Sequence, residues 1–342
     1  MNASFAGVSI RAIASALPAQ TLCLKDLAGE FGEQEVRRII RSTGIESVRL
    51  AGDLRTSDLC ESAALSLFAA LQVPADAIDA IVLVTQTPDF VMPATSALLQ
   101  HRLGLRRDCV AFDINYGCSG YIYGLYQAAM LIAAGGCGRV LVCTGDVISK
   151  LLDPRDRNVR MVFGDAAAAT LVERGEHSME FAFQTDGGGY RHLHTPLLYA
   201  DGPEISAQSG RLYMDGAEIM NFALGSVPPA IDLLLGRLGL HRNDVPLFAL
   251  HQANSFMLRY LARTLSIPER KVPVQIKDVG NTGPSSIPLA MSIGVDGTDF
   301  RQDGVVACGF GVGLSVAVAR LPLADVTLLP PVDVTARRAR PN

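Results

Sequence analysis

One strand-and-turn unit occurs twice in this sequence, and that repetition limits what the chain can fold into. A short apolar run, Val110 to Ile114, leads into Gly117-Cys118-Ser119-Gly120 and then a long apolar stretch of helical character. A second run, Val274 to Lys277, leads into Gly280-Asn281-Thr282-Gly283 and another such stretch. In each copy the next strand ends on small residues, Cys143-Thr144-Gly145 and Cys308-Gly309. The spacings agree: 27 residues from Cys118 to Gly145 (145−118) and 28 from Asn281 to Gly309 (309−281). Upstream, a helix–strand pair ending at Val84-Thr85-Gln86 is echoed by one ending at His251-Gln252.

The other strands expected are Ile81 to Thr85, Val140 to Cys143, Phe248 to His251 and Val305 to Cys308, all short, apolar and bounded by turn residues. Helical spacing of apolar residues falls between them, as in Cys60-Ala63-Ala64-Leu67, with Thr56 or Ser57 as the expected cap, and in Leu258-Leu261-Ala262-Leu265. Alternation of strand and helix makes this an α/β chain with largely parallel sheets. The halves meet near residue 175, giving 1–175 and 176–322. No linker rich in Gly, Pro or Ser separates them, so a shared core is expected. Residues 323–342, with Pro330-Pro331 and a basic end, read as a flexible tail.

With 49% hydrophobic and 19% charged residues, 342 residues suffice for large cores. A net charge of −4 favours neither nucleic acid nor an anionic membrane. The apolar stretch Tyr121 to Ala134 is too short to span a bilayer. Seven cysteines without CxxC or metal-ligand spacing, and no charged-then-apolar leader, point to the cytoplasm; no metal or cofactor is expected.

In open α/β sheets reactive groups gather beyond the carboxyl ends of strands. Cys118 and Asn281 occupy equivalent turns there, and His251 ends a strand in the second copy. A pseudo-twofold arrangement would bring all three to one cleft. Cys118 opens a helix, where the macrodipole and unsatisfied N–H groups favour the thiolate and lower its pKa. Taken singly, Cys118 could be a buried structural cysteine, His251 a structural histidine and Asn281 an ordinary turn residue. Their coincidence argues for catalysis. Phe310-Gly311-Val312-Gly313 lacks a full GxGxxG pattern. It either eases close strand packing or brings a bare backbone N–H to a reacting carbonyl, forming an oxyanion hole with the Cys118 N–H.

At these residues the chain resembles the β-ketoacyl-acyl-carrier-protein synthase III group of the thiolase-fold condensing enzymes. The matching pieces are Phe112-Asp113-Ile114, Gly117-Cys118-Ser119-Gly120, Asp153-Pro154-Arg155-Asp156-Arg157, Phe163-Gly164-Asp165-Ala166-Ala167-Ala168, His251-Gln252-Ala253-Asn254, Gly280-Asn281-Thr282 and Phe310-Gly311-Val312-Gly313. The resemblance implies a duplicated, five-layered αβαβα fold with two mixed sheets, a homodimer and a ping-pong decarboxylative Claisen condensation. Cys118 would take an acyl group from a thioester donor carried on coenzyme A or on acyl carrier protein. His251 and Asn281 would hold the thioester oxygen of malonyl-acyl carrier protein as CO2 leaves. The N–H groups of Cys118 and Val312 would steady the tetrahedral oxyanion, and Arg157, Met92, Phe310 and Gly311 would contact substrate.

Three departures bear on specificity. The family clamps the coenzyme A adenine between a Trp and an Arg; here Arg157 is kept, Arg38 and Ser42 occupy the other region, and the chain has no Trp. A protein-borne donor is the resulting expectation. Phe256 stands where the family places a carrier-contacting Arg, so Arg259 and Arg263, four apart on one helix, are candidate substitutes or simply a solvated face. Met92 stands where the family sets a Phe from the neighbouring subunit to limit the acyl pocket, which suits a larger acyl group. Two other readings keep the fold: an acyltransferase without carbon–carbon bond formation, which would not need Asn281, and a silent partner of a heterodimeric synthase, which would not keep both Cys118 and His251. A papain-like protease also combines Cys, His and Asn but does not have this repeated architecture.

Overall fold

A computed structural model describes residues 1–196, 210–294, 304–323 and 325–337. Its spine is a two-stranded antiparallel ribbon of β1 (Asn2–Pro18) and β7 (Ala166–Thr185), while β2 (Thr21–Cys23) with β3 (Ser47–Arg49) and β8 (Leu193–His194) with β9 (Tyr213–Met214) form two small separate ribbons. The other edge of β7 serves two half-sheets in turn. Its first part pairs with β6 (Arg139–Asp146), followed by β4 (Ala80–Val84) and β5 (Val110–Ile114); β4 lies parallel to both β6 and β5. Its last part pairs with β12 (Ser315–Leu321), followed by β11 (Val305–Gly311) and β10 (Leu247–Leu250), the last two parallel.

Side-chain alternation along these strands builds five layers. Ala80 and Val82 of β4, Val140 and Val142 of β6, Leu247 and Ala249 of β10, and Val305 and Ala307 of β11 all face one central layer. That layer holds the helices Gly120–Ala133 and Ser286–Ile293. The alternate residues Ile81, Leu83, Leu141 and Cys143 face outward onto the helix Thr56–Leu71. Phe248, Leu250, Val306, Cys308 and Phe310 face the opposite outer layer, the helices Gly216–Leu238 and Ser255–Thr264. Although Gly216–Leu238 is long and apolar enough to cross a bilayer, it lays Ile219, Ala223, Val227, Ile231 and Leu234 into this layer.

The repeat is visible in the pairing: β4–β6–β7 and β10–β11–β12 have the same parallel-then-antiparallel order. The two copies are not complete equals. Val274 to Lys277, expected as the counterpart of β5, forms no strand, and Lys277 already begins a turn. Its polar backbone groups are satisfied elsewhere: the Gln275 N–H donates to the Gln252 side chain, and the Lys277 carbonyl accepts from Glu46 and Ser47.

Three other expectations are revised. The boundary at 175/176 falls inside β7, so the halves share a strand. Arg55, not Thr56 or Ser57, stands at the N-cap of Thr56–Leu71, and its backbone N–H donates to Asp58 Oδ2 at 2.8 Å; Thr56 and Ser57 bond instead to Thr87 and Asp89. Residues 323–337 are not a loose tail. β13 (Thr327–Leu328) and β14 (Val332–Val334) pair parallel with β1. Residues 338–342 lie outside the described residues.

Candidate active site

Cys118 sits between the end of β5 and the helix Gly120–Ala133, in a turn closed by the Gly120 N–H on the Gly117 carbonyl. Both glycines are forced by neighbours. A Cβ at 117 would lie 2.4 Å from Gln86 Oε1, and one at 120 would lie 2.4 Å from a Val84 methyl. From this turn Cys118 forms part of the wall of a cavity of about 480 Å³, with Gln86, Asp146, Phe163, Gly283 and Val312.

The thiol does not have the lowered pKa expected from the helix end. Burial pushes it up to about 12, and the Asp146 carboxylate adds to the rise; the backbone N–H groups of Cys118 and Val312 oppose it but are outweighed. Those same two N–H groups are the pair the sequence offered as an oxyanion hole. Val312 is brought there by close approach of β11. A Cβ on Gly309 would lie 2.6 Å from the Cys118 carbonyl oxygen, and one on Gly311 would lie 3.2 Å from Cys118 Sγ, at a φ of 146°. Glycine at both positions lets the strand end press against the nucleophile turn.

His251 follows β10, its N–H bonded to the Cys308 carbonyl at 2.8 Å. The ring is 2% exposed and meets the edge of Phe310 at 5.4 Å and 85°. Burial pushes its pKa down to about 3, so it is neutral at ordinary pH. Nδ1 lies 2.7 Å from Ser286 Oγ; among the described residues Nε2 has no partner. Asn281 is clamped by its backbone, which bonds to the Val162 carbonyl and the Gly164 N–H beside Phe163. Its Oδ1 accepts the Gly283 N–H at 3.0 Å, leaving the Nδ2 donors without a partner among the described residues.

Neither His251 nor Asn281 belongs to the cavity wall, but their immediate neighbours do. Gly283 and Phe163 flank Asn281, and Val312 follows the Phe310 and Gly311 that join His251 to Cys118. Cys118 alone of the three lines the cavity, while His251 and Asn281 stand one contact behind its wall. The remaining candidates lie apart from it. Arg157 is on the surface, 3.2 Å from Glu35, and borders a separate hollow with Phe31 and Asp153. Met92 is 82% exposed beside Val91. Arg259 bonds to Ser255 and Arg263 is 3.9 Å from Glu269, both on the helix Ser255–Thr264.

Sequence reasoning passed over Asp146. It is 2% exposed, lies in the cavity wall, and its Oδ1 accepts from Thr85 Oγ1, Thr87 Oγ1 and the N–H groups of Gln86 and Thr87. Burial raises its pKa to about 6. Its place at the end of β6, just after the repeated small-residue turn, was the available signal. The cavity also takes in Tyr190, His194 and Leu212, from segments where the repeat gives no guide.

The family model for 3-oxoacyl-[acyl-carrier-protein (ACP)] synthase III matches residues 112–187, and the model for its C-terminal part matches 235–322. The beta-ketoacyl-[acyl-carrier-protein] synthase III of Lactococcus lactis is 34% identical over 298 residues, covering 83% of this chain and 90% of the relative. Synthase III 2 of Halalkalibacterium halodurans is 34% identical over 323 residues, covering 93% and 96%. A crystal structure of a 3-oxoacyl-(acyl-carrier protein) synthase from Burkholderia xenovorans superposes with a TM-score of 0.91 at 34% identity, covering 98% of this chain and 99% of that one. The priming β-ketosynthase of the R1128 polyketide pathway superposes at 0.84 with 27% identity, covering 94% and 98%.

Proposed function

The chain belongs to the 3-oxoacyl-[acyl-carrier-protein] synthase III family, and from that premise we propose that it works through Cys118, His251 and Asn281. It is an acyl-thioester condensing enzyme that joins an acyl donor to malonyl-acyl carrier protein with loss of CO2. The observation that carries the assignment of residues is the Cys118 sulfur in a cavity wall, faced by its own N–H and that of Val312.

In the first half-reaction Cys118 Sγ attacks the donor carbonyl, the carrier thiol leaves with a proton, and an acyl-Cys118 thioester remains. The thiol is protonated in the empty site, so it loses its proton only as substrate arrives. In the second, the carbon–carboxylate bond of malonyl-thioester breaks and its electron pair moves into an enolate. His251 Nε2–H and Asn281 Nδ2–H hold that oxygen. A neutral donor pair stabilises charge that is absent from the ground state. The carbanion then attacks the acyl carbonyl, the carbon–sulfur bond breaks, and Cys118 regains a proton. Phe310 holds the imidazole edge-on, and Gly311 lets the sulfur approach.

A homodimer fits β5, which is a sheet edge with Val110 exposed, and the exposed Phe90-Val91-Met92 run that leads to Thr95, whose N–H bonds to Asp113 of β5. All seven cysteines are free thiols, which suits the cytoplasm. Arg38 and Arg157 share the Glu35 carboxylate, which occupies both guanidiniums and favours a protein-borne donor over coenzyme A.

The test is intact-mass detection of acyl groups on Cys118 across a donor panel, followed by a malonyl-carrier chase with CO2 measurement. His251→Ala and Asn281→Ala should keep acylation and lose roughly 100-fold or more in CO2 release. Acylation of the wild-type protein without any CO2 release would instead establish simple acyl transfer.

A further inference from the structure

The His251 ring is held by one buried hydroxyl, and the hydrogen-bond inventory around that hydroxyl decides which ring nitrogen carries the proton. Ser286 is 2% exposed and opens the helix Ser286–Ile293. Its Oγ lies 2.7 Å from His251 Nδ1 and 3.4 Å from the Gln252 N–H. A backbone N–H can only donate, so Oγ accepts there. The one hydroxyl hydrogen must still find an acceptor, and among the described residues Nδ1 alone is in reach. Were Nδ1 itself protonated, two donors would face each other's oxygen and nitrogen with the Ser286 hydrogen left buried and unmatched, a costly arrangement.

We propose that Ser286 is a positioning residue that donates to Nδ1 and so fixes the neutral His251 ring with its proton on Nε2. This rests on the role assigned above to His251 and adds how that role is secured. The tautomer matters because a neutral imidazole protonated on Nδ1 would present a lone pair, not a donor, to the enolate oxygen. It also divides the labour: Nε2–H cannot accept the Cys118 proton, so Ser286 serves the decarboxylation step and not thiol activation.

The neighbouring serine fixes the frame in which this happens. Ser285 Oγ donates to the Ala166 carbonyl and lies 3.1 Å from Thr144 Oγ1, both in the first half. Two adjacent hydroxyls thus lock the turn that carries Asn281 to the first half-sheet on one side and to His251 on the other.

The experiment uses ¹⁵N-labelled histidine in the wild-type protein and rates for the Ser286→Ala and Ser286→Thr variants. The His251 Nδ1 resonance should be that of an unprotonated, hydrogen-bonded nitrogen; a protonated Nδ1 overturns the proposal without any mutation. Ser286→Ala should slow CO2 release from malonyl-carrier about tenfold, the scale of one buried hydrogen bond, while Cys118 acylation changes little. Ser286→Thr should restore most of the rate. Equal losses in both half-reactions, or no recovery with Thr, would reduce Ser286 to a structural residue. Absence of CO2 release from the wild-type protein would count against the condensation reading, while the ring resonance would still report the tautomer.

Discussion

At the scale of single residues, the site is governed by burial. Cys118 and His251 are both shifted toward their neutral forms, the thiol upward and the imidazole downward. Asp146 follows the same rule, raised to about 6 by burial. Its proton is held more tightly in the fold than in the unfolded chain, so this group stabilises below its unfolded pKa near 3.8. That contribution is lost as pH rises through about 6. Above pH 6 the ionised carboxylate also lifts the Cys118 thiol. Asp146→Asn keeps an oxygen for the four donors and removes the charge. It should speed alkylation of Cys118 by iodoacetamide several-fold at pH 8, with the gain disappearing near pH 5, and it should raise the melting temperature more at pH 8 than at pH 4. Equal alkylation rates for variant and wild type at pH 8 would refute the electrostatic link. Cys118 and Asn281 stood out in the sequence because the repeat pairs their turns, and His251 because it ends a strand of the second copy, although the segment before Asn281 forms no strand. Ser286 and Asp146 were not, because their partners come from elements 35 and 60 residues away.

At the scale of elements, the helix Ser255–Thr264 divides its faces cleanly. Met257, Leu258, Leu261 and Ala262 are buried against the outer face of the second half-sheet, while Phe256 and Tyr260 are exposed beside Arg259 and Arg263. Asn254 caps it by accepting the Met257 N–H at 2.8 Å. Close packing of Ser255 against Gly44 seats it beside the helix Glu33–Thr43. The sequence supplied the helix, its basic pair and Phe256, though not the exposure of Phe256 and Tyr260 beside them. If an acidic carrier docks here, reversing both charges (R259E with R263E) should raise the carrier KM several-fold and steepen no step that uses a small thioester donor. Steady-state kinetics with carrier-bound and small-molecule malonyl thioesters separates the two; an unchanged carrier KM returns this face to plain solvation. The missing strand at Val274 to Lys277 belongs to the same scale. Its composition suited β-structure, but a strand needs a partner edge, and the Gln252 side chain had already claimed its Gln275 N–H.

At the scale of the molecule, the duplication correctly announced two alternating α/β units. What it could not announce was how they are joined, since β1 lies outside the repeated module and β7, the counterpart of β12, runs on to pair with β12 itself. The β1–β7 ribbon is the common spine, and the chain's last described segment returns to its outer edge. There β13 and β14 pair with Ala12 to Ile13 and Ala16 to Pro18. Val326 and Val334 are buried, and Leu329 donates its N–H to the Ile13 carbonyl. Arg337, itself exposed, then bonds to the Asp53 carbonyl and lies 3.3 Å from Asp58, at the edge of a buried group where Arg102 also meets Asp58 and Glu61. Composition alone hid this: Pro330-Pro331 and the basic end suggest a tail, yet short parallel pairings need only a few residues each. Removing everything after Leu323 would uncover the β1 edge, take away two buried valines whose burial is worth about 1.5–3 kcal/mol each, and remove the Arg337 guanidinium from beside Asp58. The truncated chain should melt at least roughly 5 °C lower and aggregate more readily through the bare edge. Arg337→Ala should reproduce only part of that loss, because it spares the strands. Calorimetry on the two variants checks the claim: a truncated protein that melts with the full chain would mean that this segment contributes nothing to the spine.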